Sequence, residues 1–395
     1  MSHQLALKFS RAPRSSIRCL LVSFIFATIP VWSTAQAQIN HDTWMEDLWD
    51  TTSSRGEKFQ NRRLRDLVIP GSHDSATYAL TDTSTPNASP WLAALAATGA
   101  DLGILKGYAQ AQSLPIYEQL KAGARFFDLR FIKMGDMYLA HHSLVGSGHS
   151  EIFADIKRFL DEGHHKEVII LRFNHMDEMD LDAHKEFVGF IYDMFEHWMA
   201  PKSSGYNITP GDLYDLGKGP NGEHKQLIVS YEGQTAAGLG LSSSDAALLW
   251  HGSSTGIEGL NNSWMGQTTD NGQYPSPSLW RSEERLLTFL RELPGPSSPE
   301  RAFVLALPMG MNDDLDMFLN LAVPSKDIVG HASLAASAFF VNPRLVPHLA
   351  EMPRDWVNIV TVDYFHLSGL VEQAVLLNST PARVSLSVKS VSGAS

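Results

Sequence analysis

Apolar residues recur along the chain in short runs, each closed by a turn or a polar cluster and separated by stretches of helical period. Residues 67–69 (Leu-Val-Ile) are the first such run. Pro70-Gly71 stops it, which predicts a buried strand ending in a sharp turn. Residues 124–131 (ARFFDLRF) predict a second strand, whose alternation puts Asp128 and Arg130 on one face. Residues 137–141 and 168–173 predict a third and a fourth, and 226–231, 303–307 and 357–363 the later ones. Helical stretches fall between them, at 91–100, at 114–122 stopped by Gly123, at 152–162, 182–199 and 278–292, and from the last strand through Leu377. Residues 81–90 and 233–272 read as turns and long loop. Strands alternating with helices over this length predict an α/β fold, a single-domain (β/α)8 barrel of TIM type. Six or seven strands are clear in the pattern, so the barrel is expected to be irregular.

Residues 1–37 stand apart. They carry Lys8, Arg11, Arg14 and Arg18 with no acid, then an apolar run from Cys19 to Trp32, then Ala35-Gln36-Ala37. This is the pattern of a secretory signal peptide cut near Ala37, and its apolar core is short for a membrane span. The expected organisation is therefore signal peptide 1–37, barrel 38–380 and a Ser-rich tail 381–395. Export places the mature protein in the periplasm or the medium. With the four bases of residues 1–37 removed, 31 Lys+Arg become 27 against 43 Asp+Glu, a net charge of −16. Such a chain has no general attraction for nucleic acid, and an anionic substrate needs a local positive site. The one cysteine, Cys19, lies in the leader, so no disulfide or thiolate chemistry is expected.

Polar residues stand at the ends of separate strands: His73 and Asp74, Asp128 and Arg130, His142, Asn174, and Asp363. In a barrel these ends converge on one face. Two histidines, an arginine and carboxylates suit phosphoryl transfer. One imidazole takes the proton of the attacking hydroxyl, the other protonates the leaving oxygen, and the guanidinium meets charge on the phosphate. The bland alternative for Ser72, Asp74 and Ser75 is helix capping, which leaves His73 without a reason. His141 and His142 adjoin, and alternation lets only one face inward; spacing favours His142.

The stretches LVIPGSHDSATY (67–78), YEQLKAGARFFDLRF (117–131), YLAHHSL (138–144) and KEVIILRFNH (166–175) resemble the X domain of phosphatidylinositol-specific phospholipases C. Residues 357–378 resemble the family's last strand and helix, and Asn262-Ser263-Trp264 a loop motif. The resemblance implies that His73 is the general base for the inositol 2-hydroxyl and His142 the general acid for the diacylglycerol oxygen. Asp74 is then the acid's partner, Arg130 the phosphate-binding arginine and Asp363 the carboxylate orienting the base. The implied reaction gives diacylglycerol and a 1,2-cyclic inositol phosphate. Asp128, Arg172, Asn174 and Tyr231 are the candidates for substrate contacts, with Glu232 beside Tyr231. Arg130 stands where calcium-dependent members carry a second carboxylate, so no metal and no cofactor is expected. The implied partner is a phospholipid, met in transient contact with a membrane surface by a monomer.

Two other functions fit the same residues: an inactive barrel that binds lipid head groups, and an enzyme for another phosphodiester such as a glycosylated inositol anchor. Both histidines with Arg130 and Asp74 argue against a mere binder. A serine hydrolase is set aside because Ser72 is too close to His73 for nucleophile and base to meet. His164, His165 and His184 read as solvated surface residues, His175 as a residue closing the fourth strand, and a zinc site from His141, His142 and His149 fits no closed spacing. Trp250 and Trp264, in the long loop, suggest a binding surface; with Trp91 they read as a membrane-touching rim or as ordinary packing, and the net charge of −16 favours packing for most of them.

Overall fold

The computed structural model describes residues 39–250 (apart from 54–55, 89 and 100–101), 258–259, 302–307 and 334–379. The expected signal peptide, the helix expected at 278–292, Trp264 and the expected tail lie outside these residues.

Among the described residues ten strands form one sheet: β1 (Ile69–Ser72), β2 (Phe126–Met134), β3 (Met137–His142), β4 (Leu144–Gly148), β5 (Ile169–Asp177), β6 (Leu227–Tyr231), β7 (Leu249–Trp250), β8 (Glu258–Gly259), β9 (Phe303–Ala306) and β10 (Ile359–Val362). Eight of them run parallel in the order β7-β6-β5-β2-β1-β10-β9-β8. This is the curled α/β sheet of an irregular (β/α)8 barrel. β3 and β4 lie off that path and pair antiparallel, β3 on β2 and β4 on β3.

Two expectations at the first strand change. Pro70 and Gly71 lie inside β1, and the run at Leu67 and Val68 precedes it. The N–H groups of Ile69 and His73 go to Asn358 O and Val362 O on the β10 side. The Pro70 nitrogen therefore faces β2, whose pairing begins only at Gly71↔Phe126, and no ladder bond is lost. Gly71 is needed for space: a Cβ there would sit 2.9 Å from Phe126 and 3.1 Å from Thr361.

β2 and β5 carry the pattern that fixes the two faces. Leu129 and Phe131 on β2, with Leu171 and Phe173 on β5, are buried without exposed surface. Phe131 and Phe173 point to the helix layer and meet Phe153 of α5 (His149–Asp161) and Phe187 of α6 (Leu181–Phe195). α5 buries Ile152, Phe153, Ile156, Phe159 and Leu160, an i, i+4, i+7 stripe. α6 starts where the Asp180 carboxylate accepts from Ala183 N. The intervening positions, Asp128, Arg130, Arg172 and Asn174, face the barrel interior, where register pairs Asp128 with Arg172 and Arg130 with Asn174.

At the N-terminal end of the strands the chain is closed by residues 41–48. Arg125 and Glu167, both with fully buried side chains, form an ion pair at 2.8 Å. The guanidinium also donates to Asp42 O, Leu120 O and Ala124 O, while Glu167 accepts from Glu46 N. Trp44 Nε1 donates to Gly123 O alongside.

The expected loop at 233–272 begins with two short helices, Ala236–Leu239 and Ser243–Leu248, and runs into β7. Trp250 is packing and not part of a binding surface: it is fully buried, its Nε1 donating to Ala200 O and its ring 5.0 Å from Tyr206. A helix not anticipated, α3 (Leu102–Ala109), follows α2 (Pro90–Ala97) and ends at the barrel mouth.

Candidate active site

The site lies at the C-terminal ends of β1, β2, β5 and β10, with one contribution from β3. His73 follows β1 directly and is nearly fully buried. Its Nδ1 lies 2.7 Å from Asp363 Oδ1, and Asp363 follows β10, the neighbour of β1. Its Nε2 lies 3.1 Å from Arg130 Nη2, 3.3 Å from Asp74 Oδ2 and 3.9 Å from Asp128 Oδ2. An arginine can only donate and a carboxylate only accept, so the neutral ring carries its proton on Nδ1 and a lone pair on Nε2.

Arg130 is the hub. Its Nε lies 2.5 Å from Asp74 Oδ1, and its Nη2 donates to Asp128 Oδ2 at 3.0 Å. The second Asp128 oxygen accepts from Asn174 Nδ2. His142 comes from a different geometry than expected. β3 is no barrel strand but an antiparallel return from β2 through the tight turn at Gly135-Asp136, and its end brings His142 Nδ1 to 3.6 Å from Asp74 Oδ2 and 2.8 Å from Ala109 O. His141 points away from that carboxylate: its Nε2 lies 3.1 Å from His175 O and 3.3 Å from Asp177 Oδ2.

Electrostatics sort these groups. Burial is the strongest influence on His73 and opposes its charge, yet Asp74 and Asp363 outweigh it, so its pKa is raised. Asp74 and Asp128 are likewise pushed up most by burial, but Arg130 and His73 pull both below the usual carboxylate range. Burial raises Asp363, with His73 opposing. Burial lowers His141.

His73, Asp74 and Asp128 bring ligand-type atoms within 4.8 Å of one another, a grouping that could attract a cation. Arg130 touches all three residues and sits on the atoms a metal would need. These residues do not fit a resident cation.

Strain marks the same places. Among the described residues the non-glycine positions with left-handed φ are Asp74, Ser143, His175, Glu178 and Tyr364. Asp74 is itself in the site, and Ser143, His175 and Tyr364 directly follow His142, Asn174 and Asp363. Such strain persists only where the surroundings hold it, and here it re-aims the chain beside the site residues of β1, β3, β5 and β10, though not beside those of β2.

Three sequence expectations are corrected. Tyr231 aligns with Phe173 and so faces the helices; it is fully buried, and its hydroxyl pairs with His184 Nδ1 at 2.7 Å. It cannot touch a substrate. His184 is therefore a buried core residue, not a surface one, and His164 stacks on Phe159 at 4.1 Å. Arg172 does face inward, but its guanidinium grips Glu232 through two hydrogen bonds of 2.8 and 3.1 Å. His149 packs on Phe190, away from His141 and His142.

The supporting residues carry no motif. Gln112 donates to His73 O and Val362 O and accepts from Phe365 N, tying the ends of β1 and β10 together. Ser75 Oγ accepts from Asp128 N, Gln119 donates to Ser75 O, and Asn342 donates to Asp363 O. Their role depends on what lies opposite them, which no spacing announces.

No protein-family model matches the chain. Curated relatives do. A human PI-PLC X domain-containing protein 2 is 31% identical over 211 residues, covering 52% of this chain and 66% of that protein. A human PI-PLC X domain-containing protein 3 is 23% identical over 341 residues, 84% of this chain and 94% of that one. A PI-PLC X-box domain-containing protein of Dictyostelium discoideum is 31% identical over 158 residues, where the chain spans only 20% of the relative's length. Another from the same organism is spanned over 33%. Among solved structures, phosphatidylinositol-specific phospholipase C of Staphylococcus aureus superposes with TM-score 0.51 at 16% identity, covering 86% of this chain and 98% of that one. The enzyme of Listeria monocytogenes gives TM-score 0.50 at 16% identity, over 85% and 99%. The chain is thus a relative of the PI-PLC X domain-containing proteins, built on the barrel of the bacterial phosphatidylinositol-specific phospholipases C.

Proposed function

We propose that the protein is a phosphodiesterase of the phospholipase C type, a lyase that cleaves phosphatidylinositol or a closely related phospholipid. The observation that carries this reading is the pair of imidazoles on either side of one charged centre. His73 Nε2 and His142 Nδ1 lie 3.3 and 3.6 Å from the same Asp74 oxygen, with Arg130 against that carboxylate. A head-group binder has no use for two such groups.

In this reading the substrate's own 2-hydroxyl attacks phosphorus. His73, anchored through Nδ1 to Asp363, takes the hydroxyl proton on Nε2. Arg130 meets the charge that grows on the non-bridging oxygens. His142, anchored through Nδ1 to Ala109 O, gives a proton from Nε2 to the glycerol oxygen as the P–O bond breaks. The products are diacylglycerol and a 1,2-cyclic phosphate. The Arg130 contacts support a metal-independent reaction. Export after cleavage near Ala37, action as a monomer and brief contact with a lipid surface belong to the same proposal.

The test is phosphorus NMR of phosphatidylinositol micelles in excess chelator and, in parallel, in calcium, with the His73→Ala variant alongside. A cyclic phosphate resonance that grows with the native protein and is missing with the variant is expected. A calcium requirement would overturn the metal-independent mechanism. No turnover in either condition would overturn the enzyme.

A further inference from the structure

The β2–β5 ladder runs in register through Arg130↔Asn174 and then slips: Phe131 pairs with Met176, leaving His175 as the extra residue of a β-bulge. The bulge comes immediately after the pair that holds Asp128, on the mouth side of the site. His175 is exposed and adopts φ 46°, a conformation that costs a residue with a side chain. A dedicated clamp maintains it. The buried His141 places Nε2 3.1 Å from the His175 carbonyl and 3.3 Å from Asp177, and Asn87 Nδ2 holds that carboxylate in turn. Bulges beside active sites commonly serve to re-aim a side chain, and here the chain spends a buried histidine on doing so.

Resting on the function proposed above, we propose that His175 is a specificity residue that hydrogen-bonds a hydroxyl of the substrate's polyol head group at the mouth of the site. Two observations support it. His175 belongs to the set of left-handed residues that follow site residues at strand ends. Its ring also lies within the field of Arg130, Asp128 and Asp74, and partial desolvation by the surrounding protein, ahead of Arg130, lowers its pKa although the residue keeps exposed surface; the neutral ring can both donate and accept.

Glycine adopts left-handed φ freely, so His175→Gly keeps the bulge and removes only the imidazole. Glu178→Gly relaxes the neighbouring left-handed position and serves as the control. The full-length variants are compared in melting temperature, in kcat and KM on phosphatidylinositol micelles, and in binding of soluble glycerophosphoinositol by NMR. H175G is expected to melt no lower than the native protein, to raise KM and the glycerophosphoinositol Kd about threefold to tenfold, the value of one hydrogen bond, and to leave kcat within about twofold. E178G is expected to leave KM unchanged. A folded H175G with native KM, or one that loses kcat alone, overturns the assignment while the enzyme reading stands. A native protein that neither cleaves phosphatidylinositol nor binds glycerophosphoinositol overturns both.

Discussion

Arg130 Nη2 reaches His73 Nε2 across 3.1 Å, while the opposite ring nitrogen meets Asp363 at 2.7 Å. A group that can only donate and a group that can only accept thus bracket one imidazole. Its tautomer is set before any substrate arrives, and the nitrogen left with a lone pair is the one that faces the phosphate site.

The first prediction concerns pH. Asp74 and Asp363 raise the His73 pKa against the effect of burial. A base works when deprotonated, so activity rises as pH passes upward through that pKa. In Asp363→Asn one of the two raising charges is lost, and the acid limb of the kcat/KM profile should move to lower pH. The rate on the plateau should also fall by about 10²-fold or more, because Nδ1–H loses its charged acceptor. An acid limb that stays in place would show that His73 is not the titrating base.

Arg130→Ala should lower kcat by about 10²–10³-fold, the usual loss for one donor aimed at developing charge. Arg130→Lys should recover little of it, since an ammonium cannot span Asp74, Asp128 and His73 as the planar fork does. The check is steady-state turnover of the native protein and both variants in chelator and in calcium. Native turnover that depends on calcium would contradict the Arg130 geometry.

The sequence made the site legible where burial pattern and chemistry coincide. β2 and β5 alternate apolar and polar residues, so Asp128 and Arg130 could be placed on one face directly. The first strand was less legible. Leu67 and Val68 are as apolar as Ile69, but Val68 N and O bond the Asn378 side chain, and Leu67 O accepts from Asn358. An apolar run reports burial and is silent about which groups satisfy its backbone. Tyr231 failed for a related reason. Whether it or its neighbours face inward depends on the register of β6 against β5, which pairs Tyr231 with Phe173 and Ser230 with Arg172. β4, read LVGSG, and α3, read LGILKGYA, carry glycines that blur their period, so neither was foreseen. The arrival of His142 on an antiparallel return could not be read from strand signals, which carry no direction.

His142→Ala should cost about 10²–10⁴-fold on phosphatidylinositol if the residue protonates the leaving oxygen. The same variant should lose far less on an inositol phosphodiester whose leaving group is p-nitrophenol, which departs without a proton. His141→Ala lacks that leaving-group dependence, because its Nε2 is committed to His175 O and Asp177. Equal losses of His142→Ala on both substrates would remove the residue from the acid role.

The ion pair at the other end of the barrel tests stability apart from chemistry. Arg125 and Glu167 have fully buried side chains, and the guanidinium spreads its donors over Glu167, Asp42 O, Leu120 O and Ala124 O. Taking two charges out of water is costly, and their attraction roughly offsets that cost when the remaining polar atoms are satisfied. Removing one partner leaves the other charged and buried, so Glu167→Ala should destabilise the fold by about 3–5 kcal/mol. Glu167 also accepts from Glu46 N, which anchors residues 41–48, so this segment should lose hydrogen-exchange protection in the same variant. Arg125→Met with Glu167→Met removes both charges and should cost clearly less than the sum of the single changes. Denaturant unfolding of Arg125→Met, Glu167→Met and the double variant gives the coupling directly, and additive losses would show that the pair is not acting as one unit.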